Sequence, residues 1–136
     1  MEKSKKTIKN VVAAVIEKDN RIFAAQRKEK DLRYLKYEFP GGKIEKGESP
    51  LQALQRELKE ELNIEIKNPT LLCHVSHDYG VFQLEMDVFL GEIVDETAIK
   101  YHVHHAGTWF TYEELDVDLF LPADQKVVKK LLKKRP

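Results

Sequence analysis

The sequence predicts a mixed α/β (α+β) domain in which a β-sheet is covered by helices. Three observations carry this. Val- and Ile-rich segments come in hairpin-like pairs rather than in strict alternation with helices. A strongly amphipathic helix sits between those pairs, and a second closes the chain.

Residues 7–17 are dense in Val and Ile and read as a mostly buried strand. Lys18-Asp19-Asn20 is a turn, and Arg21–Gln26 returns as the second strand of a hairpin. Residues 27–36 are charged and aperiodic, as in an exposed loop, and Pro40-Gly41-Gly42 is an abrupt break. Ser49-Pro50 starts a helix, with serine as N-cap and proline at the first helical position. That helix is expected to run to about Leu62. Leu51, Leu54, Leu58 and Leu62 form its buried stripe, and Asn63 is a left-handed C-cap. Residues 70–79 and 82–93 read as strands around a turn at Gly80. Residues 95–106 are irregular, 108–110 form a last short strand and 112–115 a helical turn. Residues 123–134 form an amphipathic helix with Val127, Val128, Leu131 and Leu132 inward.

The 136 residues suit one domain spanning 1–136. Lys and Arg total 23, as do Asp and Glu. This balance argues against a dedicated nucleic-acid or membrane-surface binder, though not against a small anionic substrate. The basic ends fit the outer face of a helix better than an RNA site. Cys73 is the only cysteine, so neither an internal disulfide nor a thiolate metal cage can form, and it reads as a small core residue. No apolar run approaches a membrane span or a signal peptide, which gives a soluble cytoplasmic protein as the expectation.

The chemistry concentrates between Gly41 and Ile64. Glu57, Glu60 and Glu61 stand at i, i+3 and i+4, on one face of the central helix beside its leucine stripe. Near a helix C-terminus three carboxylates repel one another and the macrodipole. A hard divalent cation such as Mg²⁺ or Mn²⁺ would relieve both. A solvated acidic face is the competing reading. Gly41-Gly42 can bring bare backbone close to this helix and offer a carbonyl, and Arg56 can hold one of the acids.

Gly42, Glu48, Arg56-Glu57-Leu58, Glu60-Glu61 and Ile64 have the spacing of the Nudix box, and the chain resembles the Nudix hydrolases. One departure is Asn63, where that family has glycine; asparagine is the next residue most tolerant of a left-handed backbone. Residues 38–43 look like a segment of the MutT-like branch. Gln26-Arg27 and Leu121-Pro122-Ala123-Asp124 resemble its phosphate-contacting strand end and its base-reading segment. The resemblance implies the Nudix fold, an α/β/α sandwich around a mixed sheet. It also implies metal ligation by Gly41, Glu57, Glu60 and Glu61, with Arg56 beside them, and substrate contacts from Arg27, Phe39, Lys43 and Asp124.

A second departure lies before the last strand. Relatives often carry a glutamate where this chain has Val103, flanked by His102, His104 and His105. The histidines read either as solvated loop residues or as replacements for that acid; no cysteine or placed carboxylate completes a zinc site. One strand histidine, His74 or His77, is a candidate for substrate contact.

The activity implied is hydrolysis of a nucleoside or deoxynucleoside triphosphate to the monophosphate and pyrophosphate, by a monomer or homodimer. Alternatives are another diphosphate substrate, such as ADP-ribose or a dinucleoside polyphosphate, or a non-catalytic nucleotide-binding module. The proton acceptor is left open between the helix glutamates and residues 102–105. Asp124 is expected to cap the last helix and to present an acceptor-only carboxylate to a cytosine or guanine edge.

Overall fold

In the computed structural model, which describes residues 6–26, 35–104 and 106–134, a seven-stranded mixed sheet lies between two helices. The strands are β1 (Thr7–Lys18), β2 (Arg21–Gln26), β3 (Tyr37–Glu38), β4 (Gly41–Lys43), β5 (Ile66–Asp78), β6 (Phe82–Ile93) and β7 (Ala106–Thr111). The helices are α1 (Pro50–Leu62) and α2 (Pro122–Lys134), with single 3₁₀ turns at Glu96–Ala98, Tyr112–Glu114 and Val117–Leu119.

The sheet is ordered β3-β2-β1-β6-β5, with β4 on β1 and β7 on β2. Only the β1–β6 pairing is parallel among these; the others are antiparallel. The β1–β2 turn places Asp19 and Asn20 at φ 52° and 61°, the left-handed pair that a two-residue hairpin requires.

Strand β1 is buried on both faces from Val12 to Ile16, as a central strand of a covered sheet must be. Its alternate side chains divide the core. Val12, Ala14 and Ile16 pack with Ala53, Leu54, Leu58 and Leu62 of α1. Ala13 and Val15 pack with Ala123, Val127, Val128 and Leu131 of α2. This is the expected α/β/α sandwich.

Three expectations are corrected. Strand β5 begins at Ile66, not 70. Its early part carries Asn68 at φ 53° and register shifts near Pro69 and Leu71, which break the two-residue alternation that reveals a strand. Segment 37–43 is more than a break, since it contributes β3 and β4. Leu132 is 36% exposed rather than inward, because the buried stripe of α2 runs through Ala123, Val127, Val128 and Leu131. Cys73 is half-buried against the α2-side core, where desolvation raises its thiol pKa. Among the described residues, no helix is long and apolar enough to cross a membrane.

Candidate active site

Helix α1 is fixed at both ends by its own sequence. Ser49 Oγ accepts from Gln52 N at 3.1 Å, and Gln52 Oε1 accepts from Ser49 N at 2.9 Å, a reciprocal capping box with Pro50 at the first turn. At the other end Asn63 adopts φ 57° and ψ 38°, the expected left-handed cap. Its side-chain Nδ2 also donates to Ala98 O at 3.2 Å, which ties the helix end to the following loop. Lys100 N and His102 N donate to the carbonyls of Leu62 and Glu61, so residues 98–102 satisfy the last turn of α1.

On the acidic face, Arg56 is the hub. Its Nε and Nη2 donate to the two oxygens of Glu48 at 2.7 and 2.9 Å, a bidentate pair. Nη2 also donates to Lys43 O at 3.0 Å, and Nη1 to Glu57 Oε1 at 3.0 Å and Glu60 Oε2 at 3.3 Å. The hydrogen bonds from Arg56 push the Glu48 carboxyl down to about 2, and the same donation to Glu48 pushes the Arg56 pKa upward. The arginine therefore holds three acids rather than one, and screens the repulsion that the sequence implies.

The two glycines serve different neighbours. A Cβ on Gly41 would lie 1.9 Å from the Val12 carbonyl oxygen, so Gly41 lets β4 close onto β1. A Cβ on Gly42 would lie 2.4 Å from Cδ of Glu57. Gly42 thus lets the Glu57 carboxylate rest on bare backbone, where its side chain is 14% exposed against 60% for Glu60.

Gly41 and Gly42, but not Glu48, Arg56, Glu57 or Glu60, line a cleft of about 1010 Å³, the size of a small-molecule site. Its lining includes Gly41, Gly42, Lys43 and Glu61, and also Phe39, Tyr79, Phe120 and Asp124. Phe39 is buried and stacks on Phe120 with ring centroids 5.2 Å apart, forming a wall of the cleft. Lys43 is exposed at the rim. Arg27 and His105 lie outside the described residues.

Asp124 is not the N-cap of α2. Proline fits the first helical turn and has no N–H to satisfy, so the helix already begins at Pro122 and Asp124 is its third residue. Its Oδ1 accepts from Phe39 N at 2.9 Å, across 85 residues of sequence, and the side chain is buried. The carboxylate therefore pins the segment before β4 to α2.

The histidine loop divides. His102 and Val103 are exposed, Val103 lining the cleft. His104 is buried, its Nε2 2.8 Å from Glu38 Oε2, so the solvated-loop reading does not hold for it. The sequence alone carries no signal for this pairing. On strands β5 and β6, His74 bridges Asp87 Oδ1 through Nδ1 at 2.8 Å and Glu85 Oε1 through Nε2 at 2.7 Å. Neither His74 nor His77 lines the cleft.

Among the described residues, no three His, Cys, Asp or Glu side chains converge on one point; Arg56 instead draws Glu57 and Glu60 to itself. In kind, the donors fit a hard divalent cation. They are carboxylate oxygens from one helix face, one of them seated against a glycine that leaves it room.

A cleft flanked by an acid-and-arginine helix within an α/β/α sandwich defines a class, and known proteins agree with it. The NUDIX domain pattern matches residues 6–131. An 8-oxo-dGTP diphosphatase from Proteus vulgaris is 41% identical over 86 residues, 63% of this chain and 77% of the relative. A CTP pyrophosphohydrolase from Escherichia coli (strain K12) is 37% identical over 115 residues, 84% of each chain. The crystal structure of a MutT NUDIX hydrolase from Burkholderia pseudomallei matches with a TM-score of 0.81 and 26% identity, covering 93% of this chain and 99% of that one. The chain belongs to the NUDIX family.

Proposed function

We propose that the protein hydrolyses nucleoside or deoxynucleoside triphosphates to the monophosphate and pyrophosphate, with Mg²⁺ or Mn²⁺ as cofactor. The observation that carries this reading is one cleft lined both by Glu61 with the Gly41–Lys43 backbone and by Phe39, Tyr79, Phe120 and Asp124, suited to a charged phosphate chain and a flat base. The whole chain, 1–136, is read as one domain. It acts in the cytoplasm as a monomer or homodimer, on a small nucleotide rather than on nucleic acid or at a membrane.

Glu57, Glu60, Glu61 and the Gly41 carbonyl would hold the cation. When bound, it neutralises phosphate charge, polarises the scissile phosphoryl group and lowers the pKa of water. Arg56 sets the resting positions of Glu57 and Glu60 through its hydrogen bonds to both and is anchored in turn by Glu48. Lys43 and Arg27 bind phosphate oxygens. Water adds across the anhydride between the α and β phosphates, and pyrophosphate leaves.

The stacked Phe39–Phe120 pair forms an apolar wall beside the base, and Asp124 presents an acceptor-only carboxylate. Such a group suits edges that present N–H donors: the cytosine amino group, or guanine N1–H and its amino group. Cytosine and guanine nucleotides, including oxidised or methylated forms, are expected to outrank UTP and dTTP. The relatives named for CTP and 8-oxo-dGTP support this order.

The test is product identification over a panel of NTPs, dNTPs, ADP-ribose and dinucleoside polyphosphates with Mg²⁺. Monophosphate plus pyrophosphate from a triphosphate supports the reading. Cleavage confined to ADP-ribose or dinucleotides, or binding without turnover, contradicts it.

A further inference from the structure

His104 leaves one nitrogen unaccounted for at the cleft. Its side chain is 2% exposed and lines the cavity. Nε2 is committed to Glu38, whereas Nδ1 is buried with no hydrogen-bond partner. An ionised carboxylate only accepts, so Nε2 carries the hydrogen, and in the neutral ring Nδ1 is then a lone-pair acceptor. Burying such an acceptor without a partner costs stability, and buried polar atoms are otherwise paired almost throughout folded proteins. Among the described residues nothing meets Nδ1, and His104 lines the cleft where a nucleotide would lie.

We propose that His104 is a specificity-determining residue whose Nδ1 accepts a hydrogen bond from an O–H or N–H of the bound nucleotide. Glu38 fixes the tautomer and the ring plane. This deepens the nucleoside triphosphate reading and rests on it. The donor comes from the sugar hydroxyl or from an exocyclic base amino group, both of which a triphosphate or its monophosphate product carries.

Two isosteric variants separate this role from a structural one. His104→Gln reaches to the level of Nε2 and keeps the Glu38 contact, but it loses the acceptor at Nδ1. His104→Asn places an amide oxygen near Nδ1 and gives up Glu38. Calorimetric titration with CMP, dCMP and UMP is expected to show His104→Gln binding roughly fivefold to tenfold more weakly than wild type, and His104→Asn within about threefold. KM for the parent triphosphate rises with the same variant. A penalty on CMP absent from dCMP assigns the 2′-hydroxyl, and one shared by all three ligands assigns the 3′-hydroxyl. One shared by CMP and dCMP but absent from UMP assigns the amino group.

Each variant is decisive alone if the other fails to fold: a His104→Gln protein as tight as wild type, or a folded His104→Asn protein weakened about tenfold, overturns the proposal. If wild type cleaves triphosphates while His104→Gln matches it, only this inference falls. If wild type cleaves none, the functional reading falls and takes this inference with it.

Discussion

The acidic face of α1 and the rim of the cleft are built in opposite ways. The acidic helix face beside it is local: Gly42, Lys43, Glu48, Arg56, Glu57 and Glu60 lie within 19 residues, and the Arg56 hydrogen bonds span separations from 1 to 13. The rim is assembled from distant segments. Asp124 reaches Phe39 across 85 residues and His104 reaches Glu38 across 66. The helix face is set by one capped helix and a glycine pair; the rim forms only when β3, the 100–104 loop and α2 have come together. Chemistry is therefore expected to tolerate changes at the rim, and selectivity to tolerate changes in the box.

The largest effect that sharpens this contrast is expected from Glu60→Gln or Glu61→Gln. Each removes a hard anionic ligand at nearly constant volume and should lower turnover by ~100-fold with Mg²⁺ while leaving the fold intact, as circular dichroism would report. Full activity in both variants, or in excess EDTA, would remove the metal assignment.

The adjacent glycines come next. Gly41→Ala collides with β1 backbone and is expected to cost roughly 3 kcal/mol of stability. Gly42→Ala meets only a side chain, so it should displace the Glu57 carboxylate and reduce kcat roughly tenfold while unfolding near the wild-type temperature. Equal melting temperatures for the two alanine variants would contradict the distinct close approaches on which this rests.

A smaller effect tests the acid pairs outside the cleft. Glu85 and then Asp87 raise the pKa of His74 above 6.5. The stability this contributes is fully present below pH 6.5 and is lost as pH rises through the raised value. His74 holds Glu85 down to about 2, from 4.5, so that contribution is present above pH 4.5 and is lost as pH falls toward 2. Thermal melts from about pH 5 to about pH 9 should show wild type losing more stability than His74→Gln on the alkaline side. Parallel curves would count against it. The smallest change is Asn63→Gly. Relief of the left-handed strain and loss of the Ala98 hydrogen bond oppose each other, so the melt should move by less than about 1 kcal/mol and turnover hardly at all.

The same contrast explains what could be read in advance. Helix α1, its serine cap and its asparagine C-cap follow from short-range rules, and Pro50–Leu62 is the helix that was expected. The hub role of Arg56 was visible only in part, because its bidentate grip on Glu48 depends on how residues 43–48 turn back on the helix. Asp124 looked like a cap because aspartate near a helix start usually is one; its partner, the Phe39 amide, lies far away in sequence. His104 gave no sign of burial, because its burial depends on Glu38, a charged residue on a two-residue strand. Strand β5 was shortened for a local reason, since bulges erase the alternation that marks a strand.

The most direct test of this division is kcat and kcat/KM for CTP, UTP, dGTP and dTTP in wild type, Glu61→Gln and Asp124→Asn, with melting curves for each. The account predicts that Glu61→Gln lowers kcat for all four by a similar factor and preserves their order. It predicts that Asp124→Asn, which can still accept from Phe39 but can now also donate, compresses the ratio of CTP and dGTP to UTP and dTTP. An unchanged order in a folded Asp124→Asn protein, or a reordered panel in Glu61→Gln, would contradict it.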